Sequence, residues 1–360
     1  MRAWWLFAGL AGAGLFGLAV APARVGQAVA SAAIVARAGV DRTQELPDGL
    51  SVALCGTGSP LPEPGRAGPC SVVIAGRHVF MVDAGEGGAR NMALMGIPNG
   101  AVEAIFLTHL HSDHIDGLPT ALLLRWTGAH ATAPLPVYGP AGSATVVAGF
   151  EQAARIDQGF RTAHHGARVA PPSGAGGTAR VFALPPRGND APVRVFAKDG
   201  LTVTAFRVDH GPVEPAVGYR FDYKGRSIVF SGDTKATPAI VRNARGADLL
   251  VHEGIQPRLT NAMTRTLEAR HQPELAKITR DILTYHATPE QVADEAQAAE
   301  VRHLVFSHVL PQLPSRLIYP AFLGDARRHF GGTMTVGEDG MVFTLPIGQT
   351  GMSFARWPVL

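Results

Sequence analysis

The chain has 360 residues, 46% of them apolar and only 17% charged, with 32 Lys and Arg against 29 Asp and Glu. That balance excludes a disordered chain and leaves ample material for a large core. The formal charge of +3 comes without any basic block, so the sequence offers no electrostatic footprint for a long polyanion and no nucleic-acid partner is expected.

At the N-terminus, Met1-Arg2 is followed by an uncharged apolar stretch from Ala3 to Ala23, and Ala28-Val29-Ala30 supplies a small-x-small site. Residues 1–30 read as a secretory signal peptide or as an uncleaved membrane anchor, since about 20 apolar residues can span a bilayer. Both readings keep the positive end inside and export the remainder to the periplasm or the medium, with membrane contact only through such an anchor. Cleavage after Ala30 would remove Arg2 and Arg24 and no acid, leaving 30 Lys and Arg against 29 acids. Residues 31–48 read as a linker, 49–347 as one folded domain and 348–360 as a C-terminal tail.

The two cysteines, Cys55 and Cys70, end one expected strand (50–54) and open the next (71–75) across a Gly/Pro-rich connection. Antiparallel pairing would bring the sulfurs close, leaving a disulfide and two buried thiols both open. A further strand, 79–82, runs into Asp83-Ala84-Gly85-Glu86-Gly87, where Asp83 reads either as a turn residue or as a carboxylate that orients neighbours.

The densest chemistry follows the apolar run 104–107: Thr108-His109-Leu110-His111-Ser112-Asp113-His114. Such a run bounded by polar residues reads as a buried strand that delivers its last residues to a loop. If the chain stays extended through Leu110, His109 and His111 project to one side and can reach one ion. Asp113 and His114 lie past the turn, at the start of a helix expected over 115–126, and suit a second ion. Imidazole and carboxylate are ligands that zinc prefers. Three more strand ends carry similar residues: His210 after 201–206, Asp233 after 227–230, and His308 closing Leu304-Val305-Phe306-Ser307. Residues 150–199, with two proline pairs and a glycine-rich run, read as a surface loop or lid whose His164 and His165 are exposed loop histidines.

The His-x-His-x-Asp-His pattern resembles the signature of the metallo-β-lactamase superfamily. Asp83-Ala84-Gly85-Glu86-Gly87, Gly56-Thr57-Gly58-Ser59-Pro60, Ala216-Val217-Gly218-Tyr219-Arg220-Phe221, His252-Glu253 and Tyr285-His286 are similar to segments of its ribonuclease Z and arylsulfatase-like branch. The resemblance implies a four-layer αββα sandwich, an α/β fold of two mixed sheets with helices outside. It implies two zinc ions: His109, His111 and His210 on the first, Asp113, His114 and His308 on the second, Asp233 between them, and Asp83 orienting ligands from outside. It further implies that His286 and Glu253 assist the leaving group, with Asp113 a candidate in catalysis as well as a ligand. Gly254 stands where the family pattern has Ala, a departure beside Glu253. The expected activity is attack of metal-activated hydroxide on a small phosphodiester or sulfate ester, that is, a small-molecule ester substrate. Carboxylic ester, lactone or thioester hydrolysis is the alternative on the same ions, and a metal-binding scaffold the non-enzymatic one.

Overall fold

The computed structural model describes residues 22–359, which fall into two units, one ending at Arg42 and the other beginning at Thr43. In the first, Pro22–Arg37 is a helix with no buried residue. The apolar stretch read as signal peptide or anchor lies almost wholly outside the described residues. Among those described, no helix is long and apolar enough to cross a membrane. The helix continues through position 30, so residues 31–37 are helical where a linker was expected. The second unit also starts before residue 49: Thr43 is buried, Leu46 packs on an apolar cluster, and Asp48 accepts a hydrogen bond from the Tyr223 hydroxyl at 2.9 Å.

Among the described residues the second unit has fifteen strands. The first six are β1 (Gly49–Gly56), β2 (Cys70–Ala75), β3 (His78–Val82), β4 (Val102–Phe106), β5 (Leu135–Gly139) and β6 (Gly177–Val181). Next come β7 (Val193–Lys198), β8 (Leu201–Arg207), β9 (Val217–Tyr223), β10 (Arg226–Phe230) and β11 (Leu249–Ile255). The last four are β12 (His303–Leu310), β13 (Thr333–Val336), β14 (Met341–Pro346) and β15 (Ser353–Arg356). They form an eight-stranded sheet, β15-β14-β1-β2-β3-β4-β5-β6, and a seven-stranded sheet, β13-β12-β11-β10-β9-β8-β7. Both are mixed: β3 to β6 and β10 to β13 pair in parallel, the others antiparallel.

Strand periodicity explains the layering. In β1, Leu50, Val52 and Leu54 face the other sheet while Ala53 and Cys55 face helices; β3 splits likewise into Phe80 and Val82 against Val79 and Met81. In the second sheet, Ile228, Phe230, Leu249, Val251 and Val305 point inward and Val229, Leu250 and Leu304 outward. Alternation with apolar residues on both sides requires cover on both faces. The two inner faces meet in one core, where Phe106 packs against Tyr219 and Phe221 at 5.5 Å each. The outer faces are covered by helices that include Leu118–Ala129 and Pro289–Ala298. The result is a four-layer αββα sandwich.

Three expectations need correction. Residues 348–360 are not a free tail: they supply β15, paired with β14 through Phe354 and Phe343, and Trp357 is buried. Residues 150–199 are not mainly loop. They hold most of the helix Ser143–His165 and the edge strands β6 and β7, one for each sheet, so only residues 166–176 and the Pro-rich part between those strands are largely irregular. His164 and His165 are exposed, but in the last turn of that helix. The helix expected over 115–126 is broken in two, Ser112–Ile115 and Leu118–Ala129. At the break, a side chain on Gly117 would meet the Gly85 carbonyl oxygen at 2.2 Å, and Pro119 fits only the first turn of a new helix.

Cys55 and Cys70 form a disulfide with Cα atoms 5.1 Å apart, joining β1 to β2 at an irregularity in their register. It closes a sequence separation of 15 residues, for which chain entropy gives about 3 kcal/mol. Replacing both cysteines by Ala is therefore expected to lower the unfolding free energy by about that amount. Urea denaturation of wild type and variant would measure it; equal midpoints would show that neighbouring strand pairs carry the local stability alone.

Candidate metal centre

The ligand-type residues arrive at one edge of the sandwich because β4, β8, β10 and β12 all present their C-terminal ends there. His109 and His111 follow β4, His210 follows β8, Asp233 follows β10, and His308 lies near the end of β12. Asp113 and His114 sit on the one-turn helix Ser112–Ile115. That turn is anchored to the end of β3, since Ala84 N–H donates to the His114 carbonyl and Gly117 N–H to the Ala84 carbonyl.

Two clusters result. In the first, His109 Nε2 and His210 Nε2 stand 3.1 and 3.3 Å from His111 Nδ1, and 3.9 and 3.8 Å from Asp233 Oδ2. In the second, His308 Nε2 lies 3.2 Å from Asp113 Oδ2 and 3.3 Å from Asp233 Oδ2, while His114 Nε2 lies 3.5 Å from Asp113 Oδ2 and 3.5 Å from Asp233 Oδ1. Four ligands at about 2.0 to 2.2 Å around a tetrahedral ion are separated by about 3.3 to 3.6 Å, the range these contacts straddle. His114 Nε2 and Asp233 Oδ1 are buried with no hydrogen-bond partner. Unpaired buried polar atoms are costly, and a cation between the ligands would satisfy both. The donor set, imidazole nitrogen plus carboxylate oxygen, suits zinc.

A layer of hydrogen bonds fixes these rings. Asp83, in the left-handed region at φ 56°, lies within 2.9 Å of His114 Nδ1 through Oδ2 and accepts from Thr108 N–H and Thr108 Oγ1 at 2.8 Å each. His210 Nδ1 faces the Tyr285 carbonyl at 3.1 Å. Each contact leaves the opposite nitrogen for the cluster, the arrangement by which outer groups set the tautomer of metal-binding histidines. Thr108 and the Tyr285 carbonyl were not singled out from the sequence. Thr108 could have been, because it stands immediately before His109; a backbone carbonyl leaves no sequence signal.

Electrostatics favour a bound cation. Burial holds the His109 imidazole well below its usual range, with neighbouring His114 adding to the effect. Burial likewise lowers His111 and His210, so these rings are in the neutral, ligating form. Burial would raise Asp233, but the His308 and His114 imidazoles outweigh it and hold the carboxyl well below its usual range. Burial would lower His114, yet Asp233, Asp83 and Asp113 together raise it. Three carboxylates around one imidazole are a surplus of negative charge for a cation to offset.

His286 and Glu253 form a separate unit at the rim. His286 Nδ1 is 3.0 Å from Glu253 Oε1, which also accepts from Thr234 N–H at 3.1 Å and Ala287 N–H at 3.2 Å. Glu253 is 2% exposed and reaches the cluster through His286 and these amides. Burial disfavours the charged His286 imidazole, but Glu253 raises it overall. His286 also comes near the ligands: it, Asp233 and His308 each offer an atom within 4.8 Å of the others.

Two face-packed mixed sheets with paired ligand clusters around one carboxylate at their shared edge are the architecture of a metal-dependent hydrolase. The chain belongs to the β-lactamase superfamily, whose domain model matches residues 78–309. It is 37% identical over 293 residues to the ribonuclease Z of Mycobacterium avium (strain 104), covering 81% of this chain and 96% of that protein. Among solved structures it resembles human tRNase Z, short form, with a TM-score of 0.57 at 23% identity over 82% of this chain and all of that one. The metallo-β-lactamase fold protein YhfI of Bacillus subtilis gives a TM-score of 0.57 at 18% identity, over 83% of this chain and all of that one. These relatives overturn the expectation that no nucleic acid is involved, because proteins named for cutting RNA match most of the chain. Net charge missed it since the cations are dispersed along the chain instead of gathered in a block.

Proposed function

We propose that this protein hydrolyses phosphodiester bonds, with RNA the first substrate to test, at a centre of two zinc ions. The observation that carries the reading is Asp233, whose carboxylate oxygens reach ligands of both clusters within 3.3 to 3.9 Å. Bound there, two divalent cations would lower the pKa of a shared water toward 7 and offset charge on the non-bridging oxygens of a phosphate or sulfate ester. The protein's own part is positional. Glu253 holds His286 Nδ1, leaving Nε2 to give a proton to the departing oxygen. Asp83 and the Tyr285 carbonyl hold His114 and His210 so that rings do not turn away from the site.

The test is a hydrolysis screen on purified, zinc-supplemented protein with RNA, aryl phosphodiesters, aryl sulfates, lactones and β-lactams. Turnover confined to sulfates or lactones would overturn the phosphodiester reading, and a metal-free, inactive protein would favour a scaffold. We also place its site of action outside the cytoplasm. The apolar N-terminus and the Cys55–Cys70 bridge support this, since disulfides persist in oxidising compartments. A reporter fused after Ala30 that stays active only in the cytoplasm would refute it.

Glu253→Gln separates positioning from chemistry. The amide can still reach His286 but carries no charge to stabilise the imidazolium, so the His286 pKa falls. An acid must hold its proton to act, so the alkaline limb of the rate profile should move to lower pH while zinc content stays unchanged. An unmoved limb would remove Glu253 from the pathway.

A further inference from the structure

Beside the first ligand cluster lies a polar cleft of about 180 Å³, lined by Asp209 and His210 and by the guanidinium groups of Arg187, Arg207 and Arg242. Arg207 ends β8, three residues before His210; Arg187 comes from the Pro-rich segment between β6 and β7. The two arginines converge on one carboxylate. Glu214 Oε1 accepts from Arg187 Nε at 2.9 Å and from Arg207 Nη1 at 2.8 Å, and Glu214 Oε2 pairs with Arg187 Nη2. Arg207 Nη2 is anchored to the Pro185 carbonyl at 3.0 Å, which ties the same segment to the cleft.

Two features set this group apart from an ordinary surface ion pair. One carboxylate serves two guanidiniums, while the other two acids of the cleft are engaged elsewhere, Asp190 with Arg242 at 2.6 Å and Asp209 with Lys235 at 3.0 Å, although Asp209 also feels the charge of Arg187. In addition, the fork that Arg187 presents to Glu214, Nε and Nη2 to two oxygens, is the geometry that arginine offers equally to a phosphate. The Arg187 and Glu214 side chains are 73% and 37% exposed. Exposed pairs of this kind are weak and can be exchanged for a better anion.

We infer that Arg187 and Arg207 form a subsite for a phosphate neighbouring the scissile one, and that Glu214 fills it as an internal anion until the substrate displaces it. The inference rests on the phosphodiester reading and adds a selection rule. A substrate with a second phosphate engages both the metal centre and the arginines, whereas a lone aryl phosphodiester meets only the metal centre. Small monoanionic esters do not span both sites, so Glu214 stays paired with the arginines when they bind at the metal centre.

The experiment compares wild type, Arg187→Ala, Arg207→Ala and Glu214→Gln as full-chain protein. Its first readout is fluorescence anisotropy with a short nuclease-resistant phosphorothioate oligonucleotide; its second is the KM for bis(p-nitrophenyl) phosphate. Each arginine variant should bind the oligonucleotide roughly 10-fold more weakly, as expected for a lost charge-assisted contact, with a salt dependence shallower by about one unit. Glu214→Gln should bind it severalfold more tightly. KM for the aryl diester should be unchanged in all three. Arg187 is exposed, so its variant reports on binding without a folding penalty. Wild-type binding by both arginine variants, or weaker binding by Glu214→Gln, would overturn the subsite. If the aryl diester is cleaved but this binding pattern is absent, the subsite fails and the phosphodiesterase reading stands. If the pattern is present but no phosphodiester is cleaved, the reading fails and the anion subsite stands.

Discussion

Replacing Asp233 by Asn is expected to cost the protein at least one of the two metal ions proposed for it and to lower hydrolysis by roughly 10³-fold or more, the several kcal/mol that metal-ion stabilisation supplies. Asp233 is 3% exposed and faces His109, His210, His114 and His308 at once. An amide of the same shape keeps the packing, but its nitrogen is a donor that cannot join two cations, and its lost charge leaves the imidazoles without their shared counterion. Zinc per chain after dialysis, measured by plasma mass spectrometry beside circular dichroism, reads the two consequences separately. Two retained ions with near-normal turnover would show that Asp233 does not join the clusters. Loss of the folded signal would show that its charge is needed by the protein before any metal arrives.

The second large effect is expected from His286→Ala. Turnover should fall by roughly 10² to 10⁴ on substrates with poor leaving groups, the range of a lost general acid, while zinc content stays intact. With nitrophenolate as leaving group the loss should shrink, because that oxygen departs without a proton. The geometry supports the distinction: His286 is fixed through Nδ1 by Glu253 rather than by the ligand cage. It nevertheless offers an atom within 4.8 Å of atoms of Asp233 and His308, so metal analysis is an essential arm. Loss of one ion would mean that His286 ligates, and equal losses on both substrate types would mean that it binds substrate charge instead.

Much of this site was legible before any coordinates. His109, His111, Asp113 and His114 stand within six residues, and their residue types alone narrow the chemistry to a metal. The apolar runs ending at polar residues marked buried strands, because a strand buried on both faces is nearly continuous in apolar side chains, but the four-layer sandwich itself was implied only by the family resemblance. His210, Asp233 and His308 were legible only as strand ends matched to a family pattern. Nothing local says that His308 meets Asp113 across 195 positions.

What the sequence by itself determined, then, was the set of ligand types, their placement at strand termini and the two-sided burial of the strands, since each depends on periodicity within a few residues. Only the tertiary structure decided the rest. Cys55 meets Cys70 because β1 and β2 are neighbours, and residues 353–356 form a strand because β14 offers a free edge. Glu253 serves His286 because β11 places it beneath the loop that follows residue 284, and Arg187 reaches Glu214 because the segment between β6 and β7 crosses from one sheet to the other. The Glu253–His286 and Arg187–Glu214 pairs join groups 33 and 27 residues apart, and even the nearer pairings are selected by closing the two sheets on a common core, a property of the packed whole that no short window of sequence carries.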